Sequence, residues 1–362
     1  MKKMFTLRFA ALLLSALLSV PAWTQGITTP RTPSPAAEVS QTIGISKVTV
    51  HYSRPSVRDR DVWGALVPYG WNIQSFGAGR EAPWRAGANE NTVITFTHPA
   101  KVEGKDVPAG SYGLFFVINK DDTGEVILSK DSRSWGSFWY DPAQDQLRAN
   151  IRLRPVAHTE LLTYDFINLT KNTAELALNW EKKQFPVRIE FAVDDIVMTN
   201  AEEELKGQVG FSWQGFSSAA AYALQNNINQ EKALAWIDKA IAQNKNFTTL
   251  NTKAGLLRQV GETAEADKTT TDAMAIATEA ELNLYGYQLL GAGKHDEAIK
   301  IFVVNTVQHP ESANAWDSLG EAYATKGDKD NAIKSFKKSL GMNPPANVKA
   351  NSEKYLKQLG AM

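Results

Sequence analysis

The stretch from Arg54 to Asn91 gathers more Gly, Pro, Trp and Arg into one long non-periodic run than any other part of the 362-residue chain. A loop of this length inside a compact domain is uncommon and, when ordered, is usually a binding or active-site loop. It carries Trp63, Trp71 and Trp84 beside Arg54, Arg58 and Arg85, and a second run, SRSWGSFWYDP at 132–142, adds Trp135, Phe138, Trp139 and Tyr140. Rings next to guanidinium and amide groups hold small polar ligands such as glycans or peptides, by stacking and bidentate hydrogen bonds. The competing expectation is structural: the rings fill the core where the loop crosses an open end of a sandwich. The arginines would then bridge to Asp59, Asp61 and Glu90. For a single tryptophan, core filling is the commoner role.

Catalytic patterns are sparse. The five histidines show no HxH, no HExxH and no spacing that would put two ligands on one element, so no metal site is expected. A GxSxG elbow and a phosphate-binding glycine loop are both missing, and no cofactor is implied. With no cysteine in the chain, thiol catalysis, thiolate metal sites and disulfides are excluded. Two carboxylates, Glu90 and Asp141, leave a hydrolase as the alternative to a binding module. A third reading is a purely structural or assembly protein.

The elements that must position these groups follow from the patterning. Residues 1–24 have the anatomy of a secretory signal: Lys2, Lys3 and Arg8, an apolar run from Phe9 to Val20, then small residues near Ala22. That run is shorter than the roughly 20 residues a membrane span needs. The expectation is a periplasmic or secreted protein with no membrane span after cleavage. Removing those three basic residues leaves 36 basic against 39 acidic side chains, a balance with no footprint for nucleic acid. Residues 25–40 read as an extended linker. From there to about 195, eight short runs of alternating or β-branched residues predict an antiparallel all-β sandwich. They lie at 46–53, 92–98, 111–118, 124–130, 147–154, 160–168, 173–180 and 184–193. The last two are expected to form a hairpin turning at Glu181–Lys183. Residues 196–212 read as a linker helix, and 213–362 as an all-α array.

That array repeats. Trp316, Leu319, Gly320, Tyr323, Gly327, Ala332, Phe336 and Pro344 stand one 34-residue period after Leu282, Tyr285, Gly286, Leu289, Gly293, Ala298, Phe302 and Pro310. Small residues at 286/320 and 298/332 would let paired helices approach closely. The spacing resembles the tetratricopeptide repeat. About four copies fit 213–346, followed by a capping helix near 352–360. The resemblance implies a concave groove for a peptide or protein partner, with Asn283, Tyr287, Asp317 and Glu321 facing it.

The segments RPSVRDRDVWG, LVPYG, PWRAGANE, VPAGSYGLF and WGSFWYD together resemble the exported bacterial family known as domain of unknown function 2911, over about residues 36–193. Residues 71–82 read as an insertion in that pattern. The resemblance implies an exported β-sandwich without an assigned activity, and it sharpens the ligand-binding candidates. These are Arg54, Arg58, Trp84, Arg85, Asn89, Glu90, Trp135, Tyr140 and Asp141. The expected protein is a cell-envelope binding module, its β-domain holding a small polar ligand and its repeats a protein partner.

Overall fold

The computed structural model describes residues 33–361, and the expected signal segment lies outside them. The described chain forms two compact units that divide between Val193 and Asp194.

The first unit is an antiparallel sandwich. One sheet has six strands in the order β1 (Ala36–Ile43), β2 (Ser46–Ser53), β5 (Val93–Phe96), β8 (Gly110–Ile118), β9 (Thr123–Ser129) and β10 (Asp145–Arg152). The other runs β11 (Arg154–Ile167), β12 (Thr173–Glu190), β6 (Ala100–Val102) and β7 (Lys105–Val107). A small hairpin of β3 (Asn72–Ile73) and β4 (Glu81–Ala82) stands apart. Alternation decides the faces: in β2, Val48, Val50 and Tyr52 are buried while Lys47 and His51 are exposed. The inner faces meet where Phe116 of β8 lies 5.1 Å from Phe185 of β12, centroid to centroid.

Three parts of the sheet differ from the sequence expectation. Residues 36–43, placed mostly in a linker, form the edge strand β1, paired residue for residue with β2. The hairpin β6–β7 is new, turning at Glu103 and Gly104, both left-handed at φ 48° and 77°. The expected hairpin at Glu181–Lys183 is instead one 18-residue strand, β12. Its buried residues switch parity, from Leu176, Leu178 and Trp180 to Phe185, Val187 and Ile189. An irregularity around Glu181, at φ 54°, absorbs that switch without reversing the chain.

The second unit holds ten α-helices among the described residues: α1 (Val193–Glu204), then four pairs and a closing helix. The pairs are α2 (Trp213–Asn226) with α3 (Gln230–Gln243), α4 (Phe247–Gln259) with α5 (Thr263–Ile276), α6 (Glu279–Gly291) with α7 (His295–Gln308), and α8 (Ala313–Lys326) with α9 (Lys329–Leu340). The closing helix is α10 (Ala346–Gln358). Among the described residues no helix is long and apolar enough to cross a membrane. The 34-residue offset reappears as packing: a Cβ on Gly286 would meet the Phe302 ring at 2.5 Å, and one on Gly320 the Phe336 ring at 2.7 Å. Each repeat thus closes by seating a ring directly on glycine backbone. Gly320→Leu is expected to lower the denaturant midpoint of the helical unit, by about 1–3 kcal/mol of overpacking. An unchanged midpoint would contradict this close approach.

Candidate functional site

The long loop is two arms and a hairpin. In the first arm Gly64 N–H donates to the Val67 carbonyl at 2.8 Å and Val67 N–H to that of Val62 at 2.8 Å, turning the chain tightly after Trp63. In the second arm Trp84 exchanges backbone hydrogen bonds with Phe116 of β8, at 2.8 and 2.9 Å. Its indole stacks on Trp180 of β12, with centroids 5.8 Å apart and planes 16° from parallel, while Trp63 meets both rings edge-on. The second arm then runs through Ala86, fully buried at φ 53°, whose carbonyl accepts from Thr92 Oγ1 and from the Tyr164 hydroxyl. Arg58, Asp59 and Asn89 are also left-handed, at φ 51°, 54° and 61°. Four such residues in two short arms mark a backbone held in conformations that non-glycine residues rarely adopt.

The WGSFWYD stretch locks onto the second arm. The Arg85 guanidinium lies 4.9 Å from the Phe138 ring centroid and donates to the Asn89 carbonyl at 2.6 Å. Gly136, at φ 63°, favours glycine by its conformation, and a Cβ there would meet the guanidinium carbon at 2.2 Å and push the Arg85 side chain aside. Ser137 Oγ donates to the Pro83 carbonyl. Burial pushes the Arg85 pKa down.

Between the arms, β3–β4 and Ser137 lies a cavity of 640 Å³. Arg58, Trp84, Arg85 and Asn89 of the candidate set line it. The others are placed elsewhere. Arg54 donates from Nε to the Leu162 carbonyl at 3.0 Å and from its guanidinium terminus to Thr163 Oγ1 at 2.6 Å, pinning the first arm to β11. Tyr140 is 3% exposed, its hydroxyl donating to the Asp145 carboxylate and accepting from Arg148 at 3.0 Å. Asp141 accepts from Ala143 N–H and pairs with Arg80 at 3.5 Å. Trp135 is half exposed. Neither Glu90, Trp135, Tyr140 nor Asp141 lines the cavity. Sequence reasoning missed Arg60, Asn72, Ser137 and Trp180 as wall residues. Arg60 and Ser137 sit inside the family segments, but Trp180 reads only as a strand residue. Trp71, in the apparent insertion, packs at 5.8 Å from Tyr140 and carries Arg148 over its ring at 4.7 Å.

Residues 34–189 match the family model described as protein of unknown function (DUF2911). That match spans most of the first unit and less than half of the chain. Residues 313–345, covering α8 and α9, match the tetratricopeptide repeat. A 59-residue stretch is 39% identical to Superkiller complex protein 3 of Mus musculus, spanning 16% of this chain and only 4% of that protein. Among solved structures, MamA is 19% identical with a TM-score of 0.27, over 42% of this chain and 89% of that one. YrrB, a TPR protein with an unusual peptide-binding site, is 18% identical with a TM-score of 0.26, over 44% and 84%. The arms, the Arg85 clamp and most of the cavity wall lie within the residues that match this model.

In the repeats, Asn283 and Tyr287 border a 630 Å³ depression together with Glu279, Leu284 and Asn314. Asp317 and Glu321 turn out differently. Asp317 is 5% exposed and accepts from Ser352 Oγ and from Asn351 Nδ2 of α10, and Asn351 also donates to Glu321. These two carboxylates hold the closing helix. Burial raises the pKa of both.

Two outcomes follow. Tyr140→Phe leaves the Asp145 carboxylate short of a donor and is expected to cost about 1–3 kcal/mol in chemical denaturation; no loss would mean the phenol does not bind Asp145. Because the folded pKa of Asp317 is raised, its contribution to stability is full below the ordinary carboxylate range and is lost as pH rises through the raised value. Asp317→Asn is expected to flatten that part of the stability-against-pH curve of the helical unit, and an identical curve would contradict it.

Proposed function

We propose that the protein is an exported binding protein of the cell envelope, whose DUF2911 domain takes a small polar ligand in the cavity between its two arms. The observation that carries this reading is the convergence of both arms of the family pattern on one cavity, with walls anchored by the Trp84–Phe116 backbone pair and by left-handed Arg58 and Asn89. Such pre-organisation suits recognition, since little is left to order on binding. Export rests on the residues before the described part of the chain. The two-carboxylate hydrolase finds less support: neither Glu90 nor Asp141 borders the cavity, and Asp141 is occupied with Ala143 and Arg80.

The tetratricopeptide array supports a second activity of the same protein, capture of a protein partner. Its depression at Asn283 and Tyr287 presents Leu284, a large apolar side chain 62% exposed. Exposed apolar groups rimmed by polar ones mark interaction surfaces.

The test is calorimetric titration of the full chain with envelope glycan fragments and short peptides. Saturable binding is expected, and Ser75→Trp, which fills the cavity from the β3–β4 hairpin, is expected to abolish it. Binding that survives Ser75→Trp would place the ligand elsewhere. For the array, Leu284→Lys is expected to abolish partner capture from envelope extracts with the melting temperature unchanged; undiminished capture would contradict the assigned surface.

A further inference from the structure

We propose that the cavity between the arms is an oxyanion site, taking the carboxylate or phosphate of a sugar-sized ligand; this rests on the reading of that cavity as a ligand site. Three arginines, Arg58, Arg60 and Arg85, line it, and among the described residues no Asp or Glu does. The remaining polar wall is amide and hydroxyl, from Asn72, Asn89 and Ser137 among others.

Each arginine stands differently. Arg85 is clamped between the Gly136 backbone and the Phe138 ring, partly withdrawn from water, and has no carboxylate partner among the described residues. A charge in that position is ordinarily paired. Arg60 is oriented by the backbone carbonyls of Ser56 and Val57, which fix its guanidinium without neutralising it. Arg58 is exposed, and its backbone N–H donates to Glu160 Oε1 at 3.0 Å, with no partner for its guanidinium among the described residues. Its side chain is available to close on a ligand. Trp180, 1% exposed, forms an apolar part of the wall through its ring.

The three guanidinium groups therefore give the wall a surplus of N–H donors and of positive charge. A ligand rich in acceptors and negatively charged supplies both deficits, and guanidinium groups match carboxylate and phosphate geometry through paired N–H donors. The volume, 640 Å³, is within the range of small-ligand sites and admits a monosaccharide-sized body as well as its charged group.

The full chain is titrated calorimetrically at low ionic strength with three probes of one size: glucuronate, glucose 6-phosphate and glucose. At least one anion is expected to bind about tenfold or more tightly than glucose, with affinity falling as salt is added. Whichever of the two binds tighter identifies the charged group as carboxylate or phosphate. Arg58→Gln, at an exposed position, is expected to weaken the anion by about tenfold or more while leaving the ligand-free melting temperature unchanged. Glucose binding as tightly as both anions, or anion affinity indifferent to Arg58→Gln, overturns the oxyanion assignment and leaves the cavity a site for neutral ligands. Silence with all three probes also overturns it, and silence across the wider glycan and peptide panel overturns the ligand-site reading with it.

Discussion

The stack of Trp84 on Trp180 is the contact on which the first unit's architecture depends. Trp84 is bonded through its backbone to β8 in one sheet, and Trp180 belongs to β12 in the other. Trp63 brings the first arm edge-on against the same pair, and Phe185 closes the cluster at 5.4 Å from Trp63. Two sheets and two loop arms thus meet in one aromatic cluster, each ring worth far more in buried area than any single hydrogen bond around it. The cavity lies between the arms that this cluster holds.

Onto this cluster the chain adds a second constraint, the Arg85 clamp. The guanidinium is held by the Phe138 face and by its hydrogen bond to the Asn89 carbonyl. The left-handed conformations of Arg58, Asp59, Ala86 and Asn89 have the same character. Together they make the arms a fixed surface rather than a flexible loop, as recognition of a small ligand favours.

Much of this was legible before the structure, for physical reasons. Period-two patterning located most strands, and the 34-residue period located the helix pairs, because Gly286 and Gly320 must admit Phe302 and Phe336. The failures are equally physical. A parity switch in β12 looks the same in sequence whether the chain turns or bulges, and only the long partner β11 decides it. β1 lies at a sheet edge with mostly small and polar residues, so it reads as linker. Within the site, Arg54 and Arg85 carry the same side chain, yet one binds the Leu162 carbonyl and Thr163 across the sandwich while the other faces the cavity. Tyr140, Asp317 and Glu321 are likewise committed to internal partners that lie up to 35 residues away in sequence. Side-chain type identifies the chemistry a residue can do; closure of the fold decides whether it is free to do it.

The most direct measurement of the central claim is the indole N–H resonance of Trp84, partly exposed and lining the cavity, in a proton–nitrogen correlation spectrum of the full chain, assigned with Trp84→Phe and followed during titration with the tighter-binding anionic sugar. The account predicts a saturable shift of this resonance. A Trp84 resonance that stays in place while the ligand saturates would contradict the assignment of the cavity between the arms as the site.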